Sequence, residues 1–212
     1  MNRIFSFALF ISCSLLASEV KFVKGEVLVN GKATVKGAKL SNNDLIKVMD
    51  KSLAIIELND SSKVKINENT EIKVEEAKKE RPTTVSLISG SAFFKIKKAL
   101  NEKLSKEKFK VKTRQVSLGV RGTEFFVSYG KNPKDDVWMC VNEGLVEAKT
   151  RKAKAMVKAG EGIGVKKDSM SAPKPLAWTK KLNWSMDENS SDLENKVSIE
   201  EAYTDLLGRD YD

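Results

Sequence analysis

Histidine is absent from the sequence. That removes histidine triads, imidazole bases and histidine metal ligands from the chemistry open to this chain. Cysteine is nearly absent, with Cys13 and Cys140 only. Cys13 falls in MNRIFSFALFISCSLLAS, one basic residue followed by an apolar, small-residue run with the first acid at Glu19. This reads as a secretory signal cleaved after Ala17 or Ser18, too short and wrongly flanked for a membrane span. An alternative reading of FISC is a lipoprotein box that anchors the protein at Cys13. After cleavage at Ser18 only Cys140 remains, so no intramolecular disulfide forms and packing must supply the stability. In VWMCV that thiol reads as a small buried hydrophobe. Long apolar runs are missing after the signal, which excludes a transmembrane helix from the mature chain.

What is present is a beat of short strands. A chain of 212 residues, 41% hydrophobic and 32% charged, suits one globular domain with appendages. VKFVKGEVLVNGK alternates at Val27 and Val29 and turns at Asn-Gly. LAIIEL, KVKI and EIKV follow, separated by NDSS and NENT, with Leu58, Ile66 and Val74 eight residues apart. Glycine turns at Gly25, Gly90 and Gly144 each precede an alternating stretch, a loose recurrence that predicts a sheet coiling in one direction as in a solenoid or barrel. KKALNEKLSKEK is predicted as a short helical or mobile excursion, and GKNPKDD as a hairpin loop before VWMCV.

From Ser171 the pattern changes. Two of the four prolines, Pro173 and Pro175, forbid a central strand, and Trp178, Leu182 and Trp184 then offer an apolar anchor. After a polar linker, Ser198 and Glu201 form a capping box and Gly208 marks a stop. This predicts a helix over 198–208 with Ile199, Tyr203 and Leu206 on one apolar face. The expected organisation is a signal over 1–18, a β domain over 19–170, a Pro/Trp segment and linker over 171–197, the helix, and a tail over 209–212.

Charge is segregated along the chain. The whole sequence carries +9, yet residues 185–212 hold nine acids against Lys196 and Arg209. Residues 95–114 hold nine basic residues and two acids, and 149–158 five basic residues and none acidic. The candidate anion face is Lys95, Lys97, Lys98, Lys110, Lys112, Arg114, Lys149, Arg151, Lys152 and Lys154. Outside the cytoplasm such a face fits lipid headgroups, polysaccharide phosphates or the chain's own acidic tail. Nucleic acid is not expected, because exposed aromatics are not interleaved with the basic residues. Lysines that merely solvate strand faces and discourage edge pairing are the plain alternative.

LGVRGTEFFV, residues 118–127, places Arg121 and Glu124 around Gly122 within an apolar run. Gly119 to Glu124 reads as a bend between two strands, with Gly122 supplying a backbone conformation that a side chain would oppose. The flanking Val120 and Phe125 predict partial burial of both charges, hence a structural clasp in which Arg121 pairs with Glu124 or another acid. An adjacent arginine would lower the pKa of Glu124 and spoil it as a base. No catalytic residue, metal site or cofactor is therefore expected.

KTRQVSLGVRGTEFFV resembles the signature of the FecR domain family, whose core is G-V-R-G-T-E-F, here Gly119, Val120, Arg121, Gly122, Thr123, Glu124 and Phe125. VKGEVLVNG, SLAIIELNDSSKVKINENTEIKV, LISGSAFFKI, NEGLVEA and AGEGIGV resemble the family's other strands in order, over residues 20–166. The resemblance implies a twisted, solenoid-like all-β domain without catalytic residues. Namesake members cross the inner membrane and couple a sigma factor to an iron-siderophore transporter. This chain has a cleavable signal where those proteins have a cytoplasmic segment and a span. The expectation is an exported, non-enzymatic protein of the periplasm or cell envelope whose domain is a protein-binding or scaffold module. An accessory role in envelope signalling and a polyanion or glycan binder are the alternatives; the expected partner is an envelope protein or a cell-wall polymer.

Overall fold

The structure, a computed structural model, describes residues 17–76, 82–98, 109–130 and 137–195. The predicted signal, the excursion after Lys98, the loop after Gly130 and the helix over 198–208 with Ile199, Tyr203 and Leu206 lie outside the described residues. Seventeen strands are described. The first seven are β1 (Glu19–Lys24), β2 (Val27–Val29), β3 (Lys32–Ala33), β4 (Leu45–Val48), β5 (Leu53–Glu57), β6 (Lys63–Ile66) and β7 (Thr70–Glu75). Then come β8 (Thr83–Lys95), β9 (Phe109–Lys112), β10 (Ser117–Val120), β11 (Glu124–Tyr129), β12 (Val137–Glu143) and β13 (Leu145–Lys149). The last are β14 (Lys154–Lys158), β15 (Glu161–Lys166), β16 (Ser169–Met170) and β17 (Lys174–Pro175), followed by a 3-10 helix over Ala177–Lys181.

Pairing sorts the strands into two layers. One sheet runs β1–β5–β6–β8–β11–β12–β15, with β16 and β17 beyond β15. The other runs β3–β2–β4–β7–β8–β9–β10–β13–β14. Strand β8 belongs to both, pairing with β7 and β9 through its first half and with β6 and β11 through its second. All pairings are antiparallel except β8 with β9, and the sheets keep open edges. All-β is thus the fold class, but the expected solenoid is not: its rungs would stack in parallel, whereas hairpins here alternate between two facing sheets.

The core lies between the layers. Strand β7 alternates as its sequence predicts, with Ile72 and Val74 inward and Glu71, Lys73 and Glu75 outward. Phe94 of the first sheet stacks on its neighbour Phe125 at 5.0 Å and meets Phe109 of the second edge-on at 6.4 Å. Each such ring, fully buried, contributes about 1.5–3 kcal/mol. The first sheet is apolar on its other face as well. There Phe93, Phe126, Trp138 and Cys140 are covered by Leu182, Met186, Leu176 and Trp184, and Leu53 and Ile55 are covered by Leu193. The predicted anchors Leu182 and Trp184 therefore dock on the chain's own domain, while Trp178 lies in the 3-10 helix.

Gly90 permits β8 to change layers. Its φ is +92°, and an added Cβ would sit 2.5 Å from Thr70 Cα and 2.6 Å from the Asn69 carbonyl oxygen. Backbone atoms cannot yield as a side-chain tip can. Gly90→Ala is expected to cost about 2–5 kcal/mol in urea unfolding. Gly31→Ala, at φ +77° with nothing within 4 Å of the added atom, should cost only about 1 kcal/mol. Equal losses would contradict the assignment of β8 as the crossing strand.

Candidate functional site

The GVRGTEF motif is where the chain crosses from β10 in the second sheet to β11 in the first. Gly122 adopts φ +60°, and the segment leaving β8 runs over it so closely that a Cβ would lie 3.2 Å from Lys98 Cα. The Ile96 amide donates to the Thr123 carbonyl at 2.9 Å and fixes that crossing. Thr123 and Glu124 are buried, whereas Arg121 is exposed in the turn.

Glu124 is held by residues of the neighbouring strands. Asn142 Nδ2 donates to Glu124 Oε2 at 2.6 Å, and Lys95 Nζ lies 3.3 Å from Glu124 Oε1. Strand register decides this: Lys63, Lys95, Glu124 and Glu143 stand in one row across β6, β8, β11 and β12. Positions three apart at a bend turn to different surroundings: Arg121 lies exposed in the turn, while Glu124 enters the sheet. Gly119, Val120 and Phe125 are buried as the flanking residues of this crossing.

A cleft of about 730 Å³ opens beside the motif. The domain provides Lys63, Lys95, Lys97, Lys98, Thr123, Glu124 and Glu143; the C-terminal segment provides Trp184, Ser185, Met186 and Asp187. One wall carries lysines and glutamates, and the other sets Trp184 and Met186 beside Ser185 and Asp187. Thr123 Oγ1 is buried without a hydrogen-bond partner among the described residues. Among those residues no group of three or more metal-ligating side chains occurs.

The candidate anion residues divide between two places. Lys95, Lys97 and Lys98 flank the cleft, with Lys98 Nζ 3.6 Å from a Glu143 carboxylate oxygen. Lys112 and Lys149 lie on the outer face of the second sheet in a row that runs Lys73, Ser86, Lys112, Ser117, Lys149, Lys154. Lys110 stands one residue-pair along, between Thr84 and Gly119. Lys154 pairs with Glu147 at 2.8 Å, and Arg151 forks onto Asp168 at 2.9 and 2.7 Å, which raises the arginine and lowers the aspartate. Arg114 and Lys152 are exposed in turns.

Sequence reading passed over Lys65. Its side chain is fully buried, with Nζ 4.5 Å from the centre of the Phe93 ring and donating to the carbonyls of Asn183, Ser185 and Leu193. A signal for the cover existed in AFFKI, EFFVSY and VWMCV, where apolar residues do not alternate and both faces must therefore be buried. Beneath the same cover, burial pushes the Cys140 thiol up to about 12, as expected of an inert packing residue.

Residues 44–147 match the family model described as FecR protein. The chain contains a FecR domain, running from just before β4 into β13. Two crystal structures of a candidate anti-sigma factor from Parabacteroides distasonis resemble the fold. They do so at 22% and 23% identity with TM-scores of 0.53 and 0.52, over 62% of this chain and 59% of theirs. The chain thus spans about three-fifths of the length of those structures. No curated protein matches. Among the described residues no helix is long and apolar enough to cross a membrane.

Two predictions follow from the two lysine-centred contacts. Glu124→Ala strips Asn142 of its acceptor and is expected to cost about 1–3 kcal/mol in thermal unfolding. An unchanged melting temperature would contradict the clasp. For Lys65, burial lowers the ammonium to about 8, opposed by the nearby charges of Glu124 and Asp192. The unfolded chain holds that proton to about pH 10. Between pH 8 and 10 the unfolded state therefore binds more protons, so stability rises with pH and is lost again as pH falls through 8. Against Lys65→Met, the parent should gain roughly 1–3 kcal/mol across that window in urea unfolding; a pH-independent difference would contradict the burial of the charge.

Proposed function

We propose that this chain is a non-enzymatic, exported cell-envelope protein whose FecR domain binds another protein as an accessory in envelope signalling. The cleft beside GVRGTEF is its binding surface. The observation that carries this reading is the position of the cleft: the turn that distinguishes the domain family forms its floor, together with a buried threonine hydroxyl that has no internal partner. The similarity in fold to a candidate anti-sigma factor supports a signalling context. The apolar N-terminal run supports export, after which the chain acts in the periplasm or envelope.

A second reading has its own observation. Lys112 and Lys149 flank Ser117 on one exposed sheet face, and neither has an acidic partner among the described residues. With about 4.8 Å between neighbouring strands, the two ammonium groups suit an extended polyanion such as a phosphate-bearing envelope polymer.

One experiment separates the two. A photo-crosslinking amino acid replaces Lys97 at the cleft or Lys112 on the sheet face, and the captured material is identified from intact cells. Capture of an envelope protein from position 97 and not from 112 is the expected result. Capture of anionic polymer from position 112 alone, lost as salt is raised, would replace the first reading with the second.

A further inference from the structure

The segment after the 3-10 helix is built as a unit. Asn183 closes its neck: the backbone amide donates to Asn195 Oδ1 at 2.8 Å, and Nδ2 donates to the Asp192 and Glu194 carbonyls at 2.9 and 3.0 Å. Inside the neck, the Ser185 amide returns to Asn183 Oδ1 at 3.0 Å and the Ser190 amide to the Asp187 carbonyl at 3.0 Å. Such a self-tied loop keeps its shape without help from the body it covers.

Its attachment to the sheet is of a different kind. Among the described residues, no backbone hydrogen bond joins 183–195 to any strand. Two ion pairs reach it from the domain, Lys24 to Glu194 at 2.5 Å and Lys36 to Glu188 at 3.8 Å, with both lysines more than half exposed. Exposed pairs of this sort hold little. Further attachments among the described residues are apolar contact through Met186 and Leu193, the edge-on packing of Trp184 against Phe93 at 5.1 Å, and Lys65, whose ammonium the charge of Asp192 favours. The Lys65 ammonium has three N–H donors, and three carbonyls of the loop receive them, the Ser185 and Leu193 oxygens at 3.0 and 3.2 Å. One side chain of β6 therefore gathers both limbs of the loop, from Asn183 and Ser185 on the way out to Leu193 on the way back.

We propose that residues 183–195 form a detachable lid over the outer face of the first sheet, with Lys65 as its latch. The lid carries Trp184, Ser185, Met186 and Asp187, which form one wall of the cleft. Lifting it dismantles the cleft and bares the aromatic row beneath, so the lid sets whether the binding surface exists. That regulatory consequence rests on the cleft being the binding surface; the motion of the lid does not. Lys65 is a positioning residue in this scheme, acting on the cleft through the loop it holds. Its ammonium is costly to bury and repays the cost only while all three carbonyls are in place. An open lid returns it to water, which keeps the two states close in free energy and makes local opening far easier than unfolding.

Hydrogen exchange followed by mass spectrometry tests the lid without any partner present. In the unsubstituted chain, amides of 183–193 should exchange through an opening at least 100-fold more frequent than the one that exposes β11 and β12. In Lys65→Met, exchange of 183–193 should rise a further tenfold or more while β11 and β12 stay protected. Exchange of the loop in step with β11 and β12 in the unsubstituted chain would overturn the proposal, and that measurement decides alone if Lys65→Met fails to fold. An unchanged loop in a folded Lys65→Met protein would also overturn it, since apolar packing would then suffice. A lid that opens as expected, in a chain that captures nothing at position 97, would leave the lid standing and remove the cleft as a binding surface.

Discussion

A sheet that is apolar on both faces has to be covered twice, and most of what is distinctive in this protein follows from that requirement. Strands β8, β11 and β12 send Phe94, Phe125 and Met139 into the core between the layers and Phe93, Phe126 and Trp138 the other way. The second sheet covers the inner set. Since the second sheet is spent on that task, the outer set needs another source of apolar surface, and the chain after β17 supplies it with Leu176, Leu182, Trp184 and Met186. The chain after β17 is thus a third layer of the fold, without strand or long helix of its own among the described residues.

The cleft arises where this third layer ends. Across β6, β8, β11 and β12 the row containing Lys65, Phe93, Phe126 and Cys140 is covered, and the next row, with Lys63, Lys95, Glu124 and Glu143, is charged. A cover that stops between an apolar row and a charged one must leave a trough with one greasy and one ionic wall. The FecR motif lies at its floor because β10 and β11 are joined there, and the tight approach of Lys98 over Gly122 keeps the floor low. Site and fold therefore share a cause in strand register.

That dependence on register explains what could be read from the residues. The Asn-Gly turn at 30–31, the alternation of β7 and the family motif are local patterns, and the structure holds them as written. The partners of Glu124 are not local. Lys95 is drawn beside it by the pairing of β8 with β11, and Asn142 by that of β11 with β12. Arg121, three residues away in sequence, is not one of these two partners. Coiling in one direction failed for a similar reason: glycine turns at a regular beat are as consistent with hairpins shuttling between two sheets as with rungs of a solenoid, and only the pairing distinguishes them.

The segregation of charge along the chain finds a restricted use in this arrangement. The acidic stretch begins within the lid, and Glu188 and Glu194 do meet Lys36 and Lys24 of the basic domain. Those contacts are exposed and weak, so net charge steers the lid toward the domain without holding it there. Holding falls to Lys65, which meets the loop through backbone carbonyls, groups present whatever the lid's side chains are. A latch of that kind depends on the shape of the cover, with the charge of Asp192 in the lid favouring the ammonium as well. One buried ammonium, tied to both limbs, decides where the loop sits.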